Sequence, residues 1–328
     1  MAPNAENTGC VVYPLDRVDN LRLEPIPMPA DPGPNQVRLR MSKVGICGSD
    51  VHYWKKGRIA DFVITGPLLM GHESSGIIDA VGSEVKHLKP GDRVAIEPGA
   101  GCRKCTVCKN GRYNLCAEMR FLATPPTDGS LCRYFNWESD FCFKLPDHVS
   151  LEEGALLEPL SVAVHACRRG NVVIGSKVMV LGAGPIGLVN LLTAKAMGAT
   201  RVLVTDVQDS RLAVAKSLGA DVTLNTQGKS EEECGQLIKE AFGGEYPDRS
   251  IDCSGATSAY ALGMRFTAPG GNLICVGVGP LMSNVPLVQA FVREVNIVAV
   301  FRYANCYPLA LEMVASGKVN VKPLITHR

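Results

Sequence analysis

The chain has 328 residues, 46% hydrophobic and 20% charged, so it has the apolar material for packed cores and lacks the composition of a disordered protein. Its 34 Lys and Arg nearly balance its 32 Asp and Glu, and a net charge of +2 provides none of the basic field that nucleic acid or acidic lipid requires. The length favours two domains, and we expect small, neutral partners.

The first ten residues, MAPNAENTGC, contain neither a charged leader nor an apolar segment, so export is not indicated. The most apolar stretch, VMVLGAGPIGLVNLLTA, is interrupted by Gly, Pro and Asn before it reaches bilayer length, so no membrane span is predicted. Thirteen cysteines in such a chain are typical of reduced thiols and metal ligands. We therefore expect a cytoplasmic protein in which some cysteines bind metal.

Residues 1–150 contain short runs with alternating apolar and polar side chains, such as QVRLRMSKV and SGIIDAVG, separated by turns rich in Gly and Pro. This pattern predicts a β-rich domain. A helical pattern follows, because Ser150 and Glu153 have the spacing of a capping box and Pro159 suits the first turn of a second helix.

Within the β-rich region, the run CRKCTVCKNGRYNLC places four thiols close enough to bind one ion: Cys102, Cys105, Cys108 and Cys116. Four thiolates fill a tetrahedral site, so the run predicts a structural zinc, with an iron–sulfur cluster as the rival metal group. We expect four nearby cations to offset the thiolate charge: Arg103, Lys104, Lys109 and Arg112.

From Lys177 onward, β-branched runs alternate with alanine-rich helical segments up to about residue 300. Continuous apolar strands that alternate with helices predict a doubly wound parallel sheet covered on both faces. The expected fold is therefore α/β, with a β-rich domain followed by a dinucleotide-binding domain.

The first strand of this sheet runs into GAGPIG, which places Gly182, Gly184 and Gly187 where a strand turns into a helix. Such glycines allow a tight turn, a close approach to a pyrophosphate, and close packing of helix on strand. Asp206 ends the next strand, where an acid binds ribose hydroxyls and repels a 2′-phosphate, so NAD is favoured over NADP. The alternative is a turn that binds no ligand, in which Asp206 caps the following helix. For Arg211, five residues further on, stacking on the adenine and plain solvent exposure are both open.

Together these motifs resemble the zinc-dependent, medium-chain alcohol and polyol dehydrogenases. The resemblance covers nearly the whole chain, through GICGSDVHYW, GHESSGIIDAVGSEV, KPGDRVAIEPG, the cysteine run, VLGAGPIG and VFRYANCYP. The segments LLEPLSVAVHACRR and VFRYANCYP are more similar to the sorbitol-type branch than to the ethanol-type branch. The resemblance implies a GroES-like catalytic zinc domain at 1–160, with a structural-zinc lobe within it at 99–117. It also implies an NAD-binding Rossmann domain at 161–299 and a shortened return to the catalytic domain at 300–328.

The resemblance implies that the catalytic zinc is bound by Cys47, His72 and a carboxylate, either Glu73 or Glu158, with the other acting nearby or through water. It also implies that Ser49 takes the proton of the alcohol and relays it toward solvent, with either His52 or the cofactor ribose as the next step. The residues implied to contact the substrate are Tyr53, Phe121, Glu158, Arg302 and Tyr303. Those implied to contact the cofactor include the three glycines, Asp206 and Arg211, and in addition Ile186, Val276, Val278, Val300 and Arg302.

The implied activity is NAD-dependent oxidation of a secondary hydroxyl of a polyol such as sorbitol to the ketose, and the reverse reduction. Zinc would lower the pKa of the hydroxyl before hydride passes to the nicotinamide. The implied assembly is a homotetramer. The alternatives are a xylitol or L-arabinitol dehydrogenase, a shortened NAD- and zinc-binding protein without turnover, and a zinc-knuckle nucleic-acid binder, which the near-neutral charge disfavours.

Overall fold

Contacts along the chain divide it into two units, Met1–Glu158 and Pro159–Arg328. The structure is a computed structural model that describes residues 6–17, 19–280 and 282–328. Residues 300–328, which the family resemblance placed with the first domain, belong to the second unit.

The first unit is rich in short strands, as its alternating sequence predicts. The strands are β1 (Thr8–Val12), β2 (Leu21–Pro25), β3 (Gln36–Gly45), β4 (Arg58–Ile59), β5 (Phe62–Val63), β6 (Leu68–Leu69), β7 (Glu73–Val81), β8 (Arg93–Ile96), β9 (Gly99–Ala100), β10 (Arg120–Phe121), β11 (Tyr134–Glu138) and β12 (Cys142–Lys144). The helices are α1 (Gly48–Lys56), α2 (Thr106–Lys109) and α3 (Leu151–Ala155), with 3-10 turns at Tyr113–Leu115 and Ser139–Phe141.

The largest sheet of this unit has the antiparallel order β11-β3-β7-β8-β12. Alternation along β3 directs Val37 and Leu39 into the core, where both are fully buried, among residues such as Ile96 and Trp137. Strand β7 begins at Glu73, which pairs with Gly45 of β3. The sheet therefore holds the start of β7 in place between two neighbouring strands.

The predicted capping box forms at the start of α3. The Glu153 N–H donates to Ser150 Oγ at 3.2 Å, and the Ser150 N–H donates to Glu153 Oε2 at 2.9 Å. These bonds satisfy amides that have no partner within the helix. Helix α4 (Leu157–Arg169) follows at once and includes Glu158 in its first turn.

The second unit contains a six-stranded sheet whose neighbouring strands are all parallel, in the order β15-β14-β13-β16-β17-β18. The strands are β13 (Lys177–Leu181), β14 (Arg201–Asp206), β15 (Val222–Asn225), β16 (Arg249–Asp252), β17 (Asn272–Cys275) and β18 (Asn296–Ala299). The helices are α5 (Pro185–Ala196), α6 (Asp209–Ser217), α7 (Glu231–Ala241), α8 (Thr257–Phe266), α9 (Leu287–Phe291) and α10 (Tyr307–Ala315), with a 3-10 turn at Lys322–Leu324. This is the strand order of a doubly wound dinucleotide-binding fold, which confirms the predicted α/β class.

The central strands of this sheet are buried on both faces. Val178, Val180, Val202 and Val204 face one core, while Met179 and Leu203 face a second one. In the described part of the chain, no helix combines the length and apolar character needed to cross a bilayer. None of the thirteen cysteines, all of which lie in that part, forms a disulfide.

Candidate functional site

The start of helix α1 brings Cys47 and Asp50 together. Cys47 is the N-cap residue in extended conformation, and its N–H donates to Asp50 Oδ2 at 2.9 Å. Asp50 Oδ1 accepts from the N–H of Gly71 at 3.4 Å, so one buried carboxylate joins the helix to the chain before β7. This contact fixes Cys47 relative to His72, which follows Gly71.

The ring of His72 lies between two side chains of α1. Its Nδ1 is buried and lies 3.5 Å from Asp50 Oδ1, and its Nε2 lies 3.4 Å from Ser49 Oγ. A carboxylate that faces one ring nitrogen orients the imidazole and leaves the other nitrogen for a metal ion. The arrangement therefore presents Nε2 as the donor atom.

Cys47, His72 and Glu73 offer ligand atoms that all lie within 4.8 Å of one another. A thiolate, an imidazole and a carboxylate are zinc ligands, and three of them leave a fourth position open. Residues 47, 72 and 73 are thus brought together from the start of a helix and the start of a strand.

Burial and neighbouring charges set the pKa values in this cluster. Burial raises the pKa of the Cys47 thiol, a hydrogen bond and charge from His72 act to lower it, and the negative charges of Glu73 and Glu158 add to the rise. Burial also raises the pKa of Glu73. For His72, burial acts to lower the pKa, but hydrogen bonds and charge from Asp50 and Cys47 outweigh it and raise the pKa well above its usual value. Buried anionic groups require compensating positive charge, which a divalent metal supplies.

Glu158 is buried, with 6% of its surface exposed, and its charge acts on Cys47. It does not join the three residues whose ligand atoms lie within 4.8 Å of one another. Phe121 is buried with its ring centroid 5.9 Å from that of His72. Glu73 is therefore the carboxylate beside the thiol and imidazole, and Phe121 packs against the imidazole.

Two other predicted residues lie on α1. His52 follows Ser49 by three positions, which places both on one side of the helix. Tyr53 is 2% exposed and packs in an apolar cluster with Val12 and Met70, so most of its ring is a core element.

Residues 101–119, which we call the cysteine lobe, bring together the four predicted thiols: Cys102, Cys105, Cys108 and Cys116. The sulfurs of Cys102 and Cys108 are 4.0 Å apart, and those of Cys105 and Cys116 are 3.8 Å apart. Zinc–sulfur bonds of about 2.3 Å place tetrahedral sulfurs about 3.8 Å apart, so the four thiols fit zinc.

Among the cations that we expected beside the thiolates, Arg103 pairs with carboxylates instead. Arg103 Nη2 lies 3.1 Å from Glu138 and 2.7 Å from Asp140, and Arg120 Nη2 lies 2.7 Å from Glu138. Backbone N–H groups, chiefly that of Cys105, instead lower the pKa of Cys102 to about 6. Arg103 therefore attaches the lobe to the end of β11, and backbone amides stabilise the thiolate.

The glycine-rich turn follows β13 as predicted. Gly182 has φ +104°, a conformation that favours glycine, and a Cβ on Gly187 would lie 1.8 Å from the Gly182 carbonyl oxygen. A Cβ on Gly184, by contrast, would meet no atom within 4 Å. This open space lies at the N-terminus of the twelve-residue helix α5, where free amides and the helix dipole bind a pyrophosphate.

Asp206 is buried at the end of β14 and joins that strand to the glycine-rich turn. Its Oδ2 accepts from the N–H of Ala183 at 2.7 Å, and its Oδ1 accepts from the N–H of Gln208 at 3.0 Å. Gln208 is the N-cap residue of α6, so this bond holds the loop before the helix and is not a side-chain cap of α6. Arg211 is half exposed, with Nη1 3.9 Å from Asp206 Oδ2.

The remaining predicted cofactor and substrate residues lie in the second unit. Val276 and Val300 pack partly against the sheet core, whereas Val278 is 78% exposed, and Ile186 is in the first turn of α5. Tyr303 is buried, with its ring centroid 5.9 Å from that of Tyr307. Arg302 follows β18 with φ +53°, and its guanidinium lies over the Phe301 ring.

Sequence reasoning missed Asp50, Glu97 and Asp252. Asp50 stands three residues after Cys47, the spacing of a helix cap, which could have marked it. Glu97 is 2% exposed, and burial raises its pKa to about 8. It follows the apolar residues 94–96, and a carboxylate beside such residues is costly to bury without compensation, which could have marked it. Asp252 accepts from the Ser254 and Gly255 amides, which shapes the loop beside Gly182.

Comparisons with known proteins agree with this arrangement. Residues 33–147 match the family model described as the alcohol dehydrogenase GroES-like domain, and residues 185–316 match the zinc-binding dehydrogenase model. The chain is 55% identical to human sorbitol dehydrogenase over 94% of this chain and 86% of that protein. It is also 55% identical to sheep sorbitol dehydrogenase, over 99% of this chain and 90% of that protein. A solved Escherichia coli oxidoreductase/dehydrogenase of unknown specificity superposes with a TM-score of 0.91 at 35% identity, covering 98% of this chain and 91% of that one.

Proposed function

The chain belongs to the zinc-dependent medium-chain dehydrogenase family, and from this membership we propose that it oxidises a secondary hydroxyl of a polyol such as sorbitol to the ketose with NAD. The observation that carries the proposal is the cluster of Cys47, His72 and Glu73 in a chain that is 55% identical to sorbitol dehydrogenases. Bound zinc would supply Lewis-acid stabilisation of the alcohol oxygen, and NAD would accept the hydride.

The residues of the cluster hold and orient the metal. Cys47, His72 and Glu73 supply its ligands, Asp50 orients the imidazole, and Glu158 adds negative charge nearby. Among the carboxylates, Glu73 is the direct ligand in this proposal, because its oxygen is the one grouped with the thiol and the imidazole.

Ser49 takes the proton of the substrate hydroxyl. Its Oγ lies 3.4 Å from His72 Nε2, so the hydroxyl stands beside the donor atom. His52, three residues further along the same helix, is the next proton acceptor toward solvent. A hydroxyl that accepts and passes on a proton needs such a neighbour, because serine itself does not retain the charge.

The dinucleotide binds at the glycine-rich turn, with its pyrophosphate over Gly184 at the start of α5. The buried carboxylate of Asp206 favours NAD, since it would repel the 2′-phosphate of NADP. In the first unit, Phe121, which packs against His72, and Tyr53 are the side chains that we propose for selection of a polyhydroxylated substrate. In the second unit, Arg302 and Tyr303 are the residues that the family resemblance assigns to the substrate. We also propose a cytoplasmic homotetramer, which rests on the resemblance to polyol dehydrogenases and is checked by light scattering and cell fractionation.

The test is NADH formation across sorbitol, xylitol, L-arabinitol and ethanol, with NAD and NADP compared at equal concentration. The proposal predicts turnover of polyols with NAD, much weaker use of NADP, and little turnover of ethanol. A zinc-loaded protein that prefers ethanol, or that turns over none of these alcohols, contradicts it.

A further inference from the structure

Two segments connect the cysteine lobe to the candidate catalytic metal site. Strands β9 and β10 pair at the base of the lobe, with Phe121 opposite Gly99, and the Phe121 ring packs against His72. The strand pair that flanks the lobe therefore carries a side chain that contacts a proposed metal ligand.

The second connection runs through Tyr113 and Glu97. Tyr113, in the 3-10 turn between the third and fourth cysteines, donates its hydroxyl hydrogen to Glu97 Oε1 at 2.6 Å. Glu97 directly follows β8, whose last residue, Ile96, pairs with Ser74 of β7. Continued by one residue, this register sets Glu73, the first residue of β7, across from Glu97, and facing Cβ atoms of antiparallel strands are about 5 Å apart.

The surroundings of Glu97 fix it in place. Its N–H donates to the Phe141 carbonyl at 2.9 Å, and its carbonyl accepts from Trp137 Nε1 at 2.8 Å. Burial is the main cause that raises its pKa to about 8, and the charges of Glu158 and Asp140 also contribute, against the hydrogen bond from Tyr113. Glu97 is therefore fixed both through its backbone and through its side chain.

We propose that Glu97 is a positioning residue for the catalytic metal: held from the cysteine lobe by Tyr113, it fixes the start of β7, where Glu73 lies. This inference rests on the proposed function, because it takes Cys47, His72 and Glu73 as metal ligands. Partners of metal ligands determine how tightly and in what geometry the metal is held. The cysteine lobe thereby contributes to the geometry of the catalytic metal as well as to folding.

The test uses the Tyr113→Phe variant, which keeps the ring that packs edge-on against Phe141 and removes only the hydroxyl. Cobalt is placed in the catalytic site and zinc is retained in the lobe. We expect a shifted visible cobalt spectrum and release of cobalt to a chelator about tenfold faster than in the parent protein. The matched control is Tyr13→Phe, which removes a hydroxyl that donates to Glu24 at 2.5 Å elsewhere in the same unit and is expected to change neither readout.

Two substitutions of Glu97 provide an independent check. Glu97→Gln keeps an oxygen that accepts from Tyr113 and should preserve the cobalt spectrum, whereas Glu97→Leu should reproduce the change seen with Tyr113→Phe. If the leucine variant does not fold, the comparison of Tyr113→Phe with Glu97→Gln still shows whether the hydrogen bond between Tyr113 and Glu97 positions the metal.

Spectra and release rates in Tyr113→Phe that equal those of the parent overturn the positioning role. If in that case the parent holds two metals and oxidises polyols, the proposed function stands and only the role of Glu97 fails. A parent protein that holds metal in the lobe alone contradicts the proposed function itself.

Discussion

Asp50 holds the candidate metal ligands together more than any other single side chain. It accepts hydrogen bonds from the N–H groups of Cys47 and Gly71, and it faces Nδ1 of His72. Its carboxylate therefore fixes the start of α1, the start of β7 and the orientation of an imidazole. Ser49 and Glu73 complete the cluster, each through one contact with these groups.

The first prediction concerns the charge of Asp50. In Asp50→Asn the side chain keeps its shape but loses the charge that faces His72, so the imidazole becomes a weaker and less well oriented ligand. We expect the affinity for the catalytic metal to fall about 10- to 100-fold, as measured by chelator competition. Asp79→Asn, which breaks the surface ion pair with Arg38, is the control, and equal affinities in both variants would contradict the assignment.

Glu138 gives a prediction about pH. Burial alone would raise the pKa of Glu138, but hydrogen bonds from Gln36, Arg120 and Arg103 outweigh burial and lower it. A pKa that is lowered by folding stabilises the protein above the pKa of the unfolded state, and this contribution is lost as the pH falls through the lower value.

Glu138→Gln should therefore reduce the free energy of unfolding by about 2 kcal/mol at neutral pH. The gap between parent and variant should close as the pH falls below the usual range of a glutamic acid, in urea titrations from pH 7 to 3. Asp31→Asn, at a side chain that is 99% exposed, should show no gap at any pH. A Glu138→Gln gap that persists unchanged at pH 3 would contradict the assigned cause.

At the level of elements, the strand–turn–helix unit of β13 and α5 carries the cofactor proposal. Its glycines have different structural tasks: Gly182 adopts a positive φ, Gly187 lies against the Gly182 carbonyl, and Gly184 borders open space. The close contact at Gly187 belongs to the fold, whereas the open space at Gly184 belongs to the proposed ligand.

Alanine substitutions separate these tasks. Gly187→Ala places a methyl group where backbone already lies, so both the thermal unfolding temperature and NADH binding should fall. Gly184→Ala has space for the methyl group and a φ of −74° that alanine adopts, so only NADH binding should weaken. Calorimetric unfolding and NADH fluorescence titration measure the two effects, and normal NADH binding by Gly184→Ala would contradict the proposed site.

The parts of the fold that sequence predicted are those governed by local patterns. The strand and glycine spacing of the nucleotide turn, the capping box at Ser150 and the convergence of the four lobe cysteines all depend on neighbours within the same segment. Asp50 and Glu97 depend on partners that only the fold brings close, namely His72 and Tyr113. No local period encodes such contacts, so the supporting shell of the site required the structure.

At the level of the whole molecule, the two units carry separate parts of the proposed chemistry. The proposed metal ligands all come from residues 47–116, and the glycine-rich turn and Asp206 come from residues 182–206. The net charge of +2 provides no strong field, so recognition of a neutral polyol depends on local donors and acceptors. Membership in the dehydrogenase family and the two metal sites are thus the features on which the account depends.

The most direct test counts zinc per chain and measures NADH formation from sorbitol in the parent protein, in Cys47→Ala and in Cys105→Ala. We expect two zincs and turnover in the parent. We expect one zinc and no turnover in Cys47→Ala, and loss of the lobe zinc with retention of the catalytic one in Cys105→Ala. A parent with a single zinc, or a Cys47→Ala variant that keeps both metals and full turnover, would contradict the catalytic metal site.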